Sequence, residues 1–226
     1  ARVGEKEGGR SGMSPLVSIV GKSKSGKTFL IQKLITELKL RGYRVATVKH
    51  VPQDISFDEP EKDSWHHIQA GSDATVIGSP NRLVLIKPVG AELSLDETAR
   101  LLGGDYDIIL TEGFKNGDAP KIETHRREAG APLGELRGLV AMVTDEPIEA
   151  KVRQFSFEEV KGLADFLEES FIKRQGELLS LYVNGSPISL SLFPEEIIRN
   201  ILIAMASSLR GVGEIKSLDI FMRRKA

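Results

Sequence analysis

Residues 16–28 read Leu16-Val-Ser-Ile-Val20 and then Gly21-Lys-Ser-Lys-Ser-Gly-Lys-Thr28, and this stretch decides the fold. The apolar run, rich in β-branched side chains, predicts a buried strand. The residues after it, Gly21, Lys22, Ser23, Lys24, Ser25, Gly26, Lys27 and Thr28, fit the phosphate-loop pattern G-x-x-x-x-G-K-[ST]. Behind them Phe29, Leu30, Leu34, Ile35 and Leu38 recur at helical spacing, and Gly42 is suited to ending the helix. Strand, glycine loop and helix form the context in which the motif works. The loop amides and the helix N-terminus converge on phosphate oxygens. In this reading Lys27 bridges the β- and γ-phosphates, and Thr28 offers its hydroxyl to Mg²⁺. Lys22 and Lys24 add two cations to the loop: one either touches phosphate or reaches across a dimer interface, or both simply raise its positive potential.

Outward from the loop, residues 43–48 predict a second strand, giving a β-loop-α-β unit with parallel strands and a right-handed crossover. Further strands are expected at 74–77, 83–86, 107–110 and 139–143. Ser94 with Glu97 is a capping-box pair opening a helix to Leu102, and Ser156 with Glu159 opens another to about Phe171. Strands alternating with helices predict an α/β P-loop NTPase fold, a mostly parallel sheet with helices on both faces, over residues 15–173. From about Lys173 the pattern changes. Residues 178–183, an Asn184-Gly185 turn and 188–192 predict a hairpin. A helix from Pro194 to about Leu209 and a strand at 215–222 complete a small α+β domain of ββαβ order, residues 177–226. Residues 1–14 are expected to form a mobile tail.

Composition narrows the chemistry. With 31 Lys+Arg against 32 Asp+Glu, the net charge is −1, without the basic excess of a nucleic-acid or membrane-surface binder. No cysteine is present, which excludes disulfides, thiolate nucleophiles and cysteine-based metal sites. No apolar run approaches the ~20 residues of a membrane-spanning helix, so a cytoplasmic protein is expected. The candidate chemistry therefore falls to hydroxyls, amines, carboxylates, backbone amides and four histidines.

A phosphate loop needs a carboxylate from a second strand end. The run Asp107-Ile-Ile-Leu-Thr-Glu112-Gly113 supplies Glu112, the candidate for the Mg²⁺ shell directly or through water, whereas Asp107 starts the strand and is read as structural. Lys49 and His50 close the second strand, at the sheet edge where ligands bind in such folds. The polar stretch after them, with Asp54, Asp58 and Asp63, reads either as a switch-like loop or as an ordinary solvated one. His66 and His67, being adjacent, would point about 100° apart on a helix and so cannot share one metal.

With these residues in hand, the sequence resembles the MobB family of molybdopterin-guanine dinucleotide biosynthesis adapter proteins. The matching stretches are residues 21–28, Val48-Lys49-His50, Asp58 to Ser64, Ala70-Gly71, Glu112-Gly-Phe-Lys115 and Pro120-Lys-Ile-Glu123, within about 16–147. The resemblance implies a homodimer that binds GTP with Mg²⁺, hydrolyses it slowly at best, and assists the guanylyltransferase that joins GMP to molybdopterin. By the same resemblance Asp58 and Asp63 are the acidic positions after the Lys-His strand, with Asp58 the choice for metal or water positioning. Glu112 matches the Walker B carboxylate. Lys49, His50, Asp63, Lys115, Lys121 and Glu123 are assigned to the surface facing the partner or molybdopterin.

The chain departs from the family in two places. Glu61 stands where a glycine is usual before Lys-Asp-Ser, and Ser23 stands where the phosphate loop usually has a lysine. The Asn-Lys-x-Asp string that reads guanine in many GTPases is absent. Thr144-Asp145 is the substitute, where Asp145 either accepts from guanine N1 and N2 or only starts a turn before Pro147. Two other functions use the same fold. A small-molecule kinase or ATP-dependent ligase would hold its substrate with Lys49 and Lys121. A metallochaperone GTPase would use His50, His66, His67 and His125.

Overall fold

Leu16–Val20 forms strand β1 as its composition dictates, with Val17, Ile19 and Val20 buried. This computed structural model describes residues 14–51, 53, 58–174, 179–184, 186–188, 190–215 and 217–222. Residues 1–13 of the expected tail, Asp54, and residues 178, 185 and 189 of the expected hairpin lie outside the described residues. Ser14 is described, and it is anchored: its buried hydroxyl donates to the Tyr106 carbonyl at 2.6 Å.

Residues 14–174 form one unit and the C-terminal residues form another. In the first, helix α1 (Lys27–Leu40) follows β1 and leads to β2 (Val45–Lys49). After α2 (Asp63–Gln69), β3 (Thr75–Ser79), β4 (Arg82–Ile86) and α3 (Leu95–Leu102) come β5 (Ile108–Glu112), β6 (Lys121–His125), β7 (Leu139–Thr144) and β8 (Arg153–Phe155). The unit closes with α4 (Val160–Leu167) and a π-helical segment, Glu168–Ile172. Six strands build one all-parallel sheet in the order β2-β5-β1-β6-β7-β8. The mostly parallel sheet was legible in the sequence, but its order was not: β5 inserts between the two strands of the opening β-α-β unit. The reason is that β1 offers ladder bonds on both edges, and β5 and β6 take them. The pair β3 and β4 stands apart as an antiparallel hairpin, with Val76, Ile77, Leu83, Val84 and Leu85 exposed.

One sheet face is apolar. Val17, Ile19, Ile108, Leu110, Ile122, Ala141 and Val143 pack under Leu30, Leu34 and Leu38 of α1 and Leu163, Ala164 and Leu167 of α4. Because side chains alternate along a strand, the other face takes Ser18, Thr111, Lys121, Glu123 and His125, all buried. α3 packs against β2, starts with the complete Ser94–Glu97 capping box and buries Ala99.

The C-terminal unit contains a short hairpin, β9 (Tyr182–Val183) with β10 (Ser186–Pro187), and helix α5 (Leu192–Ser207). Asn184 takes the left-handed backbone, φ 51°, that the expected turn requires. The strand expected at 215–222 is not formed among the described residues. A strand persists only where a neighbour accepts its backbone bonds, and the described ladder here is a single pair of two-residue strands. Among the described residues, no helix is long and apolar enough to cross a membrane.

The end of α1 is tied to α4 by charge. Arg41 caps α1 and reaches Glu37 at 2.9 Å, Asp165 at 2.7 Å and Glu168 at 2.9 Å, while Lys173 meets Glu168 at 2.9 Å. Hydrogen bonds from Lys173, Arg41 and Tyr43 hold the Glu168 carboxyl well below the ordinary range, at about 2. A depressed carboxylate stabilises the fold fully above its unfolded-state value and stops doing so as pH falls through its folded value. Urea unfolding should therefore show stability declining from about pH 4.5 to about pH 2. Glu168→Gln should be less stable at neutral pH and show a flatter decline across that window.

Candidate functional site

The phosphate loop is shaped by what its glycines avoid. Gly21 sits at φ 152°, and a Cβ there would lie 2.5 Å from the Thr124 carbonyl oxygen and 2.6 Å from Thr124 Oγ1. Gly26 sits at φ 97°, and a Cβ there would lie 2.8 Å from the Phe157 ring. Lys24 takes the left-handed backbone at φ 63°, which curls the loop between the two. Ser25 is buried, and its hydroxyl lies 2.7 Å from Thr124 Oγ1, so β6 fastens the loop from the side. Lys27 turns its ammonium back over the loop and donates to the carbonyls of Gly21 at 3.0 Å and Lys22 at 2.8 Å. Lys22, Ser23 and Lys24 are exposed around it.

The parallel ladder brings the carboxylate to the loop. Glu112 ends β5 opposite Ile19, and the Gly113 amide donates to the Ile19 carbonyl at 3.0 Å. Thr28 Oγ1 lies 3.1 Å from each Glu112 carboxylate oxygen. A hydroxyl and one carboxylate side by side suit Mg²⁺, which takes few protein ligands and keeps phosphate oxygens and water for the rest. Asp107, at the other end of β5, accepts from the Arg44 amide at 2.6 Å and is structural.

In the acidic stretch after β2, Asp58 stands at the turn that leads into α2. Asp58 Oδ1 accepts from the Glu59 amide and the Ser64 hydroxyl, both at 3.0 Å, and so fixes the turn into α2. These bonds are local to that turn. Glu61, standing where the family resemblance expects glycine, takes φ 69°. Glu61 thus holds a left-handed backbone without being glycine, at about 1–2 kcal/mol of backbone strain. Asp63 begins α2 and is exposed. Lys49 is exposed at the end of β2, Lys115 is exposed beyond β5, and His50 pairs with Glu92 at 2.6 Å beside the Phe114 ring.

Lys121 and Glu123 depart from the sequence reading. Both are buried in β6, so neither lies on a partner-facing surface. Lys121 donates to the carbonyls of Gly117, Ala119 at 3.0 Å and Arg137 at 2.8 Å, and burial pushes its ammonium below the usual lysine range. Glu123 accepts from the Leu133 amide at 2.6 Å. His125, also buried, lies 3.2 Å from the Thr144 hydroxyl and 3.0 Å from the Gly130 carbonyl. The three alternate along one strand face and pin the segment between β6 and β7 over the sheet. Each is a charged or polar residue at a period of two, which reads in sequence as a solvated edge. Among the described residues, no three His, Cys, Asp or Glu side chains form a metal-holding group. Both His125 ring nitrogens are already engaged.

At the far side of the loop lies a cluster that sequence reasoning missed. The Arg126 guanidinium stands 4.1 Å from the Phe157 ring centre, and its Nη1 lies 3.8 Å from Asp145 Oδ2. Asp145, just past β7, also accepts from the Arg127 amide at 2.9 Å. Only Asp145 of the three carried a motif-like signal.

The family model for MobB, molybdopterin guanine dinucleotide synthesis protein B, matches residues 16–145. A molybdopterin-guanine dinucleotide biosynthesis adapter protein from Escherichia coli is 36% identical over 170 residues, covering 73% of this chain and 97% of the relative. One of the same description from Haemophilus influenzae is 36% identical over 68% of this chain and 88% of its own. A crystal structure of molybdopterin-guanine biosynthesis protein B superposes with a TM-score of 0.56 at 32% identity, over 69% of this chain and 99% of that one. A MobB homologue from Bacillus stearothermophilus gives 0.55 at 26% identity, over 71% and 99%.

The loop geometry carries consequences for stability. Gly21→Ala places a methyl against the rigid Thr124 backbone in a strained conformation and should cost more than about 2 kcal/mol. Ser25→Ala, which removes one buried hydroxyl contact, should cost about 1 kcal/mol. Urea unfolding of both variants beside the parent chain checks the order.

Proposed function

We infer the function from one premise: the chain belongs to the MobB family, molybdopterin guanine dinucleotide synthesis protein B. It acts as an adapter in the biosynthesis of molybdopterin guanine dinucleotide. Our reading of how it does so is that the chain binds GTP with Mg²⁺ and presents a nucleotide-dependent surface to the guanylyltransferase that handles molybdopterin in the cytoplasm. The observation that carries this reading is the contact of Thr28 with Glu112 beside the loop-bound Lys27 ammonium. A triphosphate needs such a cationic cradle with a metal-holding pair next to it. Thr28 and Glu112 would hold the ion, Asp58 would position water or metal from the α2 turn, and Lys27 would meet the phosphates. Mg²⁺ supplies charge neutralisation at the phosphate oxygens.

Hydrolysis is slow in this reading, far below the ~10 s⁻¹ typical of enzymes. Lys49, His50, Asp63 and Lys115 form the partner-facing set, with Lys121 and Glu123 removed from it. A homodimer is part of the proposal, supported by the apolar side chains that the β3–β4 hairpin leaves exposed. The kinase or ligase alternative loses one of its two substrate lysines, because Lys121 is spent on three backbone carbonyls.

Lys27→Ala should abolish GTP binding in calorimetry while the urea midpoint stays near that of the parent, since the ammonium contacts only loop carbonyls. Retained GTP affinity in this variant would falsify the phosphate-loop assignment. Asp145→Asn should reverse base choice, with xanthosine triphosphate bound more tightly than GTP, because an amide donates where a carboxylate accepts. Competition binding with the two nucleotides reads that reversal directly.

A further inference from the structure

The strands leave β1 on two sides, and the two sides carry different chemistry. Toward β5 lies Glu112, the metal side. Toward β6, β7 and β8 lie Arg126, Asp145 and Phe157, each placed within two residues after its strand ends. In an open parallel sheet, ligands bind outside these carboxyl ends. The second group abuts the phosphate loop itself: a Cβ on Gly26 would fall 2.8 Å from the Phe157 ring and 3.2 Å from Arg126 Nε. A group extending from a phosphate held at the loop, away from the metal side, has these residues beside it.

Phe157 cannot serve as the contact surface, because it is only 3% exposed. Its ring is enclosed by Phe29, 6.3 Å away between centres, and by the Arg126 guanidinium at 4.1 Å. Arg126 therefore has its guanidinium carbon set over an aromatic ring, yet its side chain remains 35% exposed. Nη1 of the same guanidinium lies 3.8 Å from Asp145 Oδ2, an ion pair that helps hold it in place. Asp145 spends one oxygen on the Arg127 amide and keeps its side chain 36% exposed. A carboxylate has about four acceptor sites, so capacity remains.

We propose that Arg126 and Asp145 together form the base-recognition site, with a guanine ring stacked on the Arg126 guanidinium and its N1–H and 2-amino groups donating to Asp145. The proposal rests on the nucleotide-binding reading above and adds to it the residue that carries the base. A planar, delocalised, weakly hydrated cation stacks well on a purine, and a lysine does not reproduce the plane. Adenine offers an acceptor at N1 and no 2-amino group, so the same carboxylate disfavours it. Arg126 thus carries the base by stacking while Asp145 discriminates guanine, and both are distinct from the phosphate contacts of Lys27.

The test compares the parent chain, Arg126→Ala and Arg126→Lys in titrations with GTP, ATP and inorganic tripolyphosphate, each with Mg²⁺. Thermal unfolding checks that Phe157 stays covered well enough for the fold to persist. In the alanine variant GTP affinity should fall about tenfold or more, the scale of one lost stacking contact. Tripolyphosphate affinity should stay within about twofold, and any ATP affinity should fall together with GTP affinity, because stacking serves either purine. The lysine variant keeps the charge and the stem; it should resemble the alanine variant in its GTP loss while unfolding at the parent temperature. Equal weakening toward all three ligands would mean that Arg126 holds phosphate, and would overturn the proposal. Unchanged GTP binding in both variants would mean that it merely covers Phe157, and would overturn the proposal equally. A parent chain that binds tripolyphosphate but neither nucleotide would remove the GTP reading itself, and this inference with it.

Discussion

The parallel ladder that holds β1 between β5 and β6 is the constraint on which the rest of the site depends. Its register sets Ile19 opposite Glu112 on one edge and Val20 opposite Glu123 on the other. The loop that leaves β1 is therefore flanked at once by a carboxylate from β5 and by the Thr124 backbone from β6. No residue within the loop could arrange this alone. Gly21 has room only because nothing projects from it toward Thr124, and Thr28 finds Glu112 only because α1 starts directly over the end of β5. A slip of one residue in the β1–β5 ladder would send Glu112 to the opposite face, and one in the β1–β6 ladder would do the same to Thr124.

The polar back of the sheet is the second organising feature. Burying a lysine, a glutamate and a histidine at alternate positions of one strand is unfavourable unless each finds partners. Here the partners are mostly backbone groups of the chain between β5 and β7: carbonyls of Gly117, Ala119 and Arg137 for Lys121, the Leu133 amide for Glu123 and the Gly130 carbonyl for His125. Where an apolar face would need a helix laid across it, these bonds let irregular chain cover the sheet. Arg126, the next residue after His125, continues the extended backbone and so falls on the opposite face, beside Gly26 and Phe157.

Much of this was legible beforehand where the interactions are local. The Ser94–Glu97 capping box, the stripe of Leu30, Leu34 and Leu38 on α1, the Asn184 turn and the helix around Pro194 all depend on neighbours a few residues away. They formed within one or two residues of expectation. β6 and β8 were missed for opposite reasons. β6 hides polar residues inside, against the usual sense of a hydrophobic pattern, and β8 is too short to show any period. The strand expected at 215–222 shows the converse: a suitable apolar pattern with no described partner to pair with.

The sequence by itself determined the phosphate loop, its strand and helix, the carboxylate strand ending at Glu112 and the family resemblance, because each is written in contiguous residues. The tertiary structure alone decided which strands neighbour β1. It withdrew Lys121 and Glu123 into the sheet and gathered Arg126, Asp145 and Phe157 beside Gly26. Those outcomes turn on hydrogen bonds and ring contacts between residues far apart in the chain. Such pairings are selected by the total burial and bonding of the fold, and no local pattern encodes them.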